Sequence, residues 1–139
     1  MSQKKYADTD FFLALMKNSD WLKENARQIY EKNKENLFVS PFTIAEIMII
    51  CKRESMPLRE TLAQISRIAK LENFSWNTFF KSCDFIEKGA TIFDSLLMAV
   101  CSEDDQIISS DNIYEKFGFV NTSIVFRLDL KDTKIKTRD

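Results

Sequence analysis

A chain of 139 residues, 45% of them hydrophobic, with only 2 Gly and 2 Pro, reads as a single globular domain with one good core rather than a disordered or loop-dominated chain. With 20 basic and 21 acidic side chains the net charge is −1, which excludes a general coat for polyanions; nucleic-acid contact would fall to a local patch or a bound cation. The absence of any His excludes serine-type triads, Cys-His pairs, His-based zinc sites and a histidine general base, and leaves carboxylates, hydroxyls, lysines and a metal to carry chemistry.

In chain order, Met1-Ser2-Gln3-Lys4-Lys5 has lysines but no apolar run behind it, so no signal peptide is expected. No stretch of 18 or more apolar residues occurs, so no membrane span is expected either. Lys4 to Ala7 reads as a short first strand, and Phe11 to Met16 as an apolar helix start. Asn18-Ser19-Asp20 offers caps for a second helix with Trp21, Leu22, Ala26, Ile29 and Tyr30 inward. Leu37-Phe38-Val39 is short and apolar, as in a buried parallel strand. Ser40-Pro41 restarts a helix through Ile44, Ile47, Met48 and Cys51. After Ser55-Met56-Pro57, the spacing of Leu58, Leu62, Ile65 and Ile68 predicts a helix to about Leu71. Ser75 caps the next, with Phe79, Phe80, Cys83 and Ile86 inward and Gly89 at its end.

Thr91-Ile92-Phe93-Asp94 resembles a capping box opening the helix of Leu97, Met98 and Cys101. Gln106 to Ser109 is a strand and Asn112 to Phe117 a short helix stopped by Gly118. Ser123 to Leu130 alternates as a half-buried edge strand, and a charged tail occupies about 131–139. The widely spaced Cys51, Cys83 and Cys101 sit in apolar contexts and read as buried reduced thiols of a cytoplasmic protein. Alternating strands and helices favour an α/β domain with a mostly parallel sheet.

Four acids stand out by position: Asp8 and Asp111 just past strand ends, Glu46 and Asp94 near helix starts. In a parallel sheet these ends share one rim, so all four can converge on the crevice where ligands bind. Clustered carboxylates repel unless a cation lies among them, and hard oxygen donors suit Mg²⁺ or Mn²⁺. Such an ion could activate water at a phosphodiester. Thr9, Asp10, Ser109 and Ser110 lie beside the acids as supporting groups, and Lys52, Arg53 and Arg59 are candidates to hold phosphates, those of RNA if the resemblance drawn next applies. Each acid also has a structural reading. Asp8 can cap a helix, Asp94 can only complete the capping box, Asp111 can form an Asx turn and Glu46 can be a solvated helix residue.

Taken as an ordered set, these stretches resemble the four motifs of PIN-domain ribonucleases. They are Asp8-Thr9 before Phe11-Phe12-Leu13-Ala14-Leu15; Ser40 to Glu46; Phe93-Asp94-Ser95-Leu96-Leu97-Met98-Ala99; and Ile107 to Asp111 followed by Phe117-Gly118. The match spans Tyr6 to about Leu130. The resemblance implies a three-layer sandwich with a parallel five-stranded sheet flanked by helices, and an acidic Mg²⁺/Mn²⁺ site. It also implies endoribonuclease activity, most often as the toxin of a VapBC-type toxin–antitoxin pair, a homodimer and an antitoxin partner. Ser95 stands where many members have Ala, and Asp10 where Asn or Ser is common.

Two other readings compete. Asp8-Thr9-Asp10 also resembles the nucleophile motif of haloacid-dehalogenase-like phosphatases, although Phe11-Phe12 follows where Gly-Thr would be, and Asp104-Asp105 sits before a strand rather than after one. A non-catalytic PIN-like interaction protein, whose acids only cap and solvate, is the other.

Overall fold

The computed structural model describes residues 3–17 and 21–125. Five strands, β1 (Lys5–Ala7), β2 (Leu37–Val39), β3 (Lys70–Leu71), β4 (Gln106–Ser109) and β5 (Val120–Ser123), form one sheet in the order β3-β2-β1-β4-β5, with every pairing parallel. Seven helices cover it among the described residues: α1 (Thr9–Met16), α2 (Lys23–Asn33), α3 (Pro41–Arg53), α4 (Leu58–Ile68), α5 (Trp76–Glu87), α6 (Ile92–Val100) and α7 (Ile113–Lys116). The α/β expectation and the five-stranded parallel sheet both hold. None of these helices is long and apolar enough to cross a membrane.

Side-chain alternation along the strands divides the interior in two. Ala7, Leu37, Val39 and Ile108 face one layer, where Phe11, Phe12, Ala26, Ile47, Cys51 and Ile65 of α1 to α4 pack on them. Tyr6, Phe38 and Ile107 face the other, against Phe85, Leu97, Met98 and Tyr114. The inner strands β1, β2 and β4 carry apolar residues on both faces because each face is covered, whereas the edge strands β3 and β5 are more exposed and more polar. The helix starts follow local chemistry. Ser40 accepts the Phe42 N–H at 3.1 Å with Pro41 in the first helical position, and Thr91 accepts the Asp94 N–H at 3.2 Å.

Several expectations need correction. α4 stops at Ile68, and Lys70–Leu71 is strand β3, paired to Phe38 and Val39. Two exposed residues carry no periodic signal of their own, and the helical spacing upstream gives no stop before them. Trp21 precedes α2 and is 75% exposed, whereas Leu22, Ala26 and Ile29 are buried as expected. On α5, Phe79 and Phe80 face outward (36% and 68% exposed), and Cys83 is an exposed thiol rather than a buried one. Ser82 is the buried position on that helix. With Phe79, Phe80, Phe85 and Ile86 spread around α5, periodicity could not select its inner face. Phe42, Phe74, Trp76, Phe79 and Phe80 instead form a contiguous ring cluster with centroids 4.8–6.3 Å apart. The last strand begins earlier than the alternation suggested. Gly118, with a φ of 92°, ends α7 and the chain enters β5 at Val120. The caps read at Asn18-Ser19-Asp20, most of the 123–130 strand and the tail lie outside the described residues.

Candidate active site

The sheet order places β1 and β4 side by side while their following connections run to opposite sides. This is the topological switch point at which open α/β sheets bind ligands. Ala7 pairs with Ile108, and the Asp8 N–H donates to the Ile108 carbonyl at 2.9 Å, so the chain leaves β1 and β4 at the same level. A cavity of about 1000 Å³ opens there. Asp8, Asp10, Glu46, Asp94, Asp111 and Glu115 line it, with Thr9, Ser110, Asn112, Asn121 and Ser123; Leu13, Ile50 and Val125 are its apolar lining. No basic residue is among the described lining.

All four sequence-picked acids therefore reach one cavity, each from a different part of the fold. Asp8 caps α1 by accepting the Thr9 N–H at 2.7 Å, and its other oxygen accepts from Ser109 Oγ at 3.3 Å and from the Tyr114 phenol at 2.6 Å. Glu46, in the second turn of α3, accepts the Thr9 hydroxyl. Asp94, in the first turn of α6, accepts the Tyr114 phenol at 3.0 Å. Asp111 takes the Ile113 N–H at 3.0 Å while its own N–H goes to Ser109 Oγ at 2.9 Å. The capping and turn roles are thus real at Asp8 and Asp111, and they fix the side chains at the cavity instead of withdrawing them from it.

The supporting groups have distinct positions. Asp10 accepts both the N–H and the hydroxyl of Ser110 on one oxygen. Ser109 is fully buried behind Asp8 and is not part of the cavity lining. Lys52, Arg53 and Arg59 are exposed and are not part of that lining either, and Arg53 lies 3.3 Å from Glu54. Asp105 is buried, and it accepts the backbone N–H groups of Lys4 and Ser102 at the opposite end of β4.

The electrostatics carry the mark of crowded acids. Burial, then the neighbouring Asp10 charge, pushes the Asp8 carboxyl up to about 7. The bonds from Tyr114 and Thr9 oppose that shift, and Glu46 adds to it. Burial also raises Asp10, against the two bonds from Ser110. Burial, with the charges of Asp8 and Asp94, raises the Tyr114 phenol, so it stays protonated as a donor.

A hard divalent cation fits this donor set. The donors are all oxygen, and two buried oxygens on lining residues, Asp10 Oδ1 and Asn121 Oδ1, have no hydrogen-bond partner among the described residues. The acids ring the cavity and do not close on one point: among the described residues no three stand together at ligating separation. Carboxylates without a counter-charge repel one another.

Tyr114, Asn121 and Glu115 were not legible as site residues. Tyr114 stands 106 residues from Asp8 and 20 from Asp94. In the sequence it is an aromatic residue in a short helix, with no sign that its hydroxyl turns back to both acids.

Comparison with known proteins bears on the family and the fold. Residues 5–120 match the PIN domain family. No curated protein matches the sequence. Among solved structures, the chain is similar to VapC20 of Mycobacterium tuberculosis, described as a Sarcin-Ricin loop cleaving toxin, with a TM-score of 0.70 at 16% identity over 84% of this chain and 97% of that one. A toxin–antitoxin complex from Klebsiella pneumoniae gives 0.71 at 15% identity, over 87% and 98% of the two chains. A DNA-bound VapBC from Salmonella typhimurium gives 0.64 at 14% identity, over 88% and 99%. At such identities the structural likeness speaks for the fold, and the family match over most of the chain adds the lineage: this chain belongs to the PIN domain family.

Proposed function

We propose that this protein is a metal-dependent endoribonuclease that hydrolyses RNA phosphodiesters, acting as the toxin of a VapBC-type pair. The observation that carries the reading is the convergence of Asp8, Glu46, Asp94 and Asp111, from β1, α3, α6 and the end of β4, on one cavity at the switch point of a PIN sheet.

Asp8, Glu46 and Asp94, with Asp10 and Asp111 beside them, would hold Mg²⁺ or Mn²⁺. When bound, the ion would lower the pKa of a water and stabilise charge on the phosphodiester. The chain's own groups supply the frame. Thr9 holds Glu46, Ser110 holds Asp10, and Ser109 joins Asp8 to the backbone of Asp111. The acid-lined cavity repels phosphate unless a cation neutralises it, which makes RNA entry and metal binding one linked event. Lys52 and Arg59, both exposed, are the proposed outer contacts for flanking phosphates; Arg53 would first have to leave Glu54.

The antitoxin partner and a second copy belong to the same reading. Two structural neighbours, a toxin–antitoxin complex and a DNA-bound VapBC, support the first. The exposed Trp76 and Phe80 offer apolar surface of the kind that protein partners cover. The phosphatase alternative lacks its second acid pair, because Asp105 is occupied by backbone amides away from the cavity.

The test is cleavage of a mixed RNA pool by the purified protein. With Mn²⁺ or Mg²⁺ the pool is expected to yield discrete fragments, and removal of the metal by EDTA is expected to abolish them. Folded protein that leaves every RNA intact at saturating metal would favour a non-catalytic PIN-like protein.

A further inference from the structure

Tyr114 is the one buried phenol that touches two of the cavity acids. It is fully buried among Tyr6, Leu97, Met98 and Ile107, so its position is fixed by packing rather than by the acids. From there its hydroxyl reaches Asp8 Oδ2 at 2.6 Å and Asp94 Oδ1 at 3.0 Å. It is the only group that bonds the Asp94 side chain among the described residues, and neither acid has a basic partner there. Two acids on separate parts of the fold, the end of β1 and α6, thus share the single hydroxyl of a third element, α7. A carboxylate offers about four lone-pair sites, so accepting this bond leaves each acid free to ligate.

We propose that Tyr114 is a positioning residue for the divalent ion: its hydroxyl sets the spacing and orientation of Asp8 and Asp94 before the ion arrives. This rests on the nuclease reading only for the identity of the ligand. Outer groups that orient ligating carboxylates typically contribute 10–100-fold to metal affinity.

The experiment is calorimetric titration of the full chain with MnCl₂ in the absence of RNA, comparing the unsubstituted protein with Tyr114→Phe and Tyr6→Phe. Tyr6 is the control. It is equally buried in the same apolar cluster, and its hydroxyl donates to Glu72 at 2.9 Å, away from the cavity. Tyr114→Phe is expected to weaken Mn²⁺ binding about 10-fold while Tyr6→Phe leaves it unchanged. In cleavage assays the loss should appear as a higher metal requirement, with the RNA KM at saturating Mn²⁺ unchanged. Equal affinity in Tyr114→Phe, or an equal loss in Tyr6→Phe, overturns the inference and leaves the nuclease reading standing. Absence of Mn²⁺ binding by the unsubstituted protein overturns both. Should Tyr114→Phe not fold, the tyrosine-ring NMR resonances of the unsubstituted protein decide. Mg²⁺ is expected to shift that of Tyr114 and spare that of Tyr6, and an unmoved Tyr114 resonance overturns the proposal.

Discussion

Asp8→Asn is expected to lower RNA cleavage by about 100-fold or more while making the metal-free protein more stable at neutral pH. Both effects have one cause. Asp8 sits at the mouth of β1 with its carboxyl raised to about 7 by burial and by Asp10, so ionising it in the empty cavity is costly. In the unfolded chain the group titrates near its ordinary value of 3.8. Between those two values the folded state holds a proton that the unfolded state has lost, so metal-free stability falls as pH rises from about 4 to about 7 and then levels off. The full shift would correspond to a ceiling of about 4 kcal/mol; Asp8 is partly open to the cavity, which brings the expected effect to about 1–3 kcal/mol. The neutral amide does not titrate. The stability difference between Asp8→Asn and the unsubstituted chain should therefore widen across that window and narrow again when Mg²⁺ is added to the unsubstituted protein. Urea melts at pH 5 and pH 8, with and without Mg²⁺, read this out. A variant that cleaves normally, or a difference that does not change with pH, would contradict the assignment.

The second large effect is structural. Phe11→Ala should cost about 3–5 kcal/mol, a substantial part of the 5–15 kcal/mol that holds a domain of this kind together. Phe11 is fully buried and meets Phe12 edge-on at 5.4 Å in the layer formed with Ala7, Val39 and Ile47. The helix it anchors begins at Thr9, so this packing also fixes the hydroxyl that holds Glu46. The expected readout is a fall in melting temperature of roughly 10–20 °C with an unchanged urea m-value. A loss below about 1 kcal/mol would mean that α1 is not seated as described.

What could be read in advance follows the range of each signal. The apolar triplet at Leu37 and the caps at Ser40 and Thr91 are local, and they placed β2, α3 and α6. Position relative to strand and helix ends was enough to expect Asp8, Glu46, Asp94 and Asp111 around one cavity, because a parallel sheet brings those ends to one rim. β3 was missed because two exposed residues have no pattern of their own and become a strand only through β2. The outward turn of Phe80 and Cys83 was missed because α5 is apolar on several sides. Tyr114 was missed because its role depends on contacts with residues far away in the chain.

Crystals of the protein grown or soaked with Mn²⁺ should show an anomalous peak in the cavity, bonded to carboxylate oxygens of Asp8 and Asp94, with Glu46 ligating directly or through water. A peak of that kind, lost in Asp94→Asn, is the predicted result. No peak in the cavity at saturating Mn²⁺, or one bound only by surface acids elsewhere, would contradict the account.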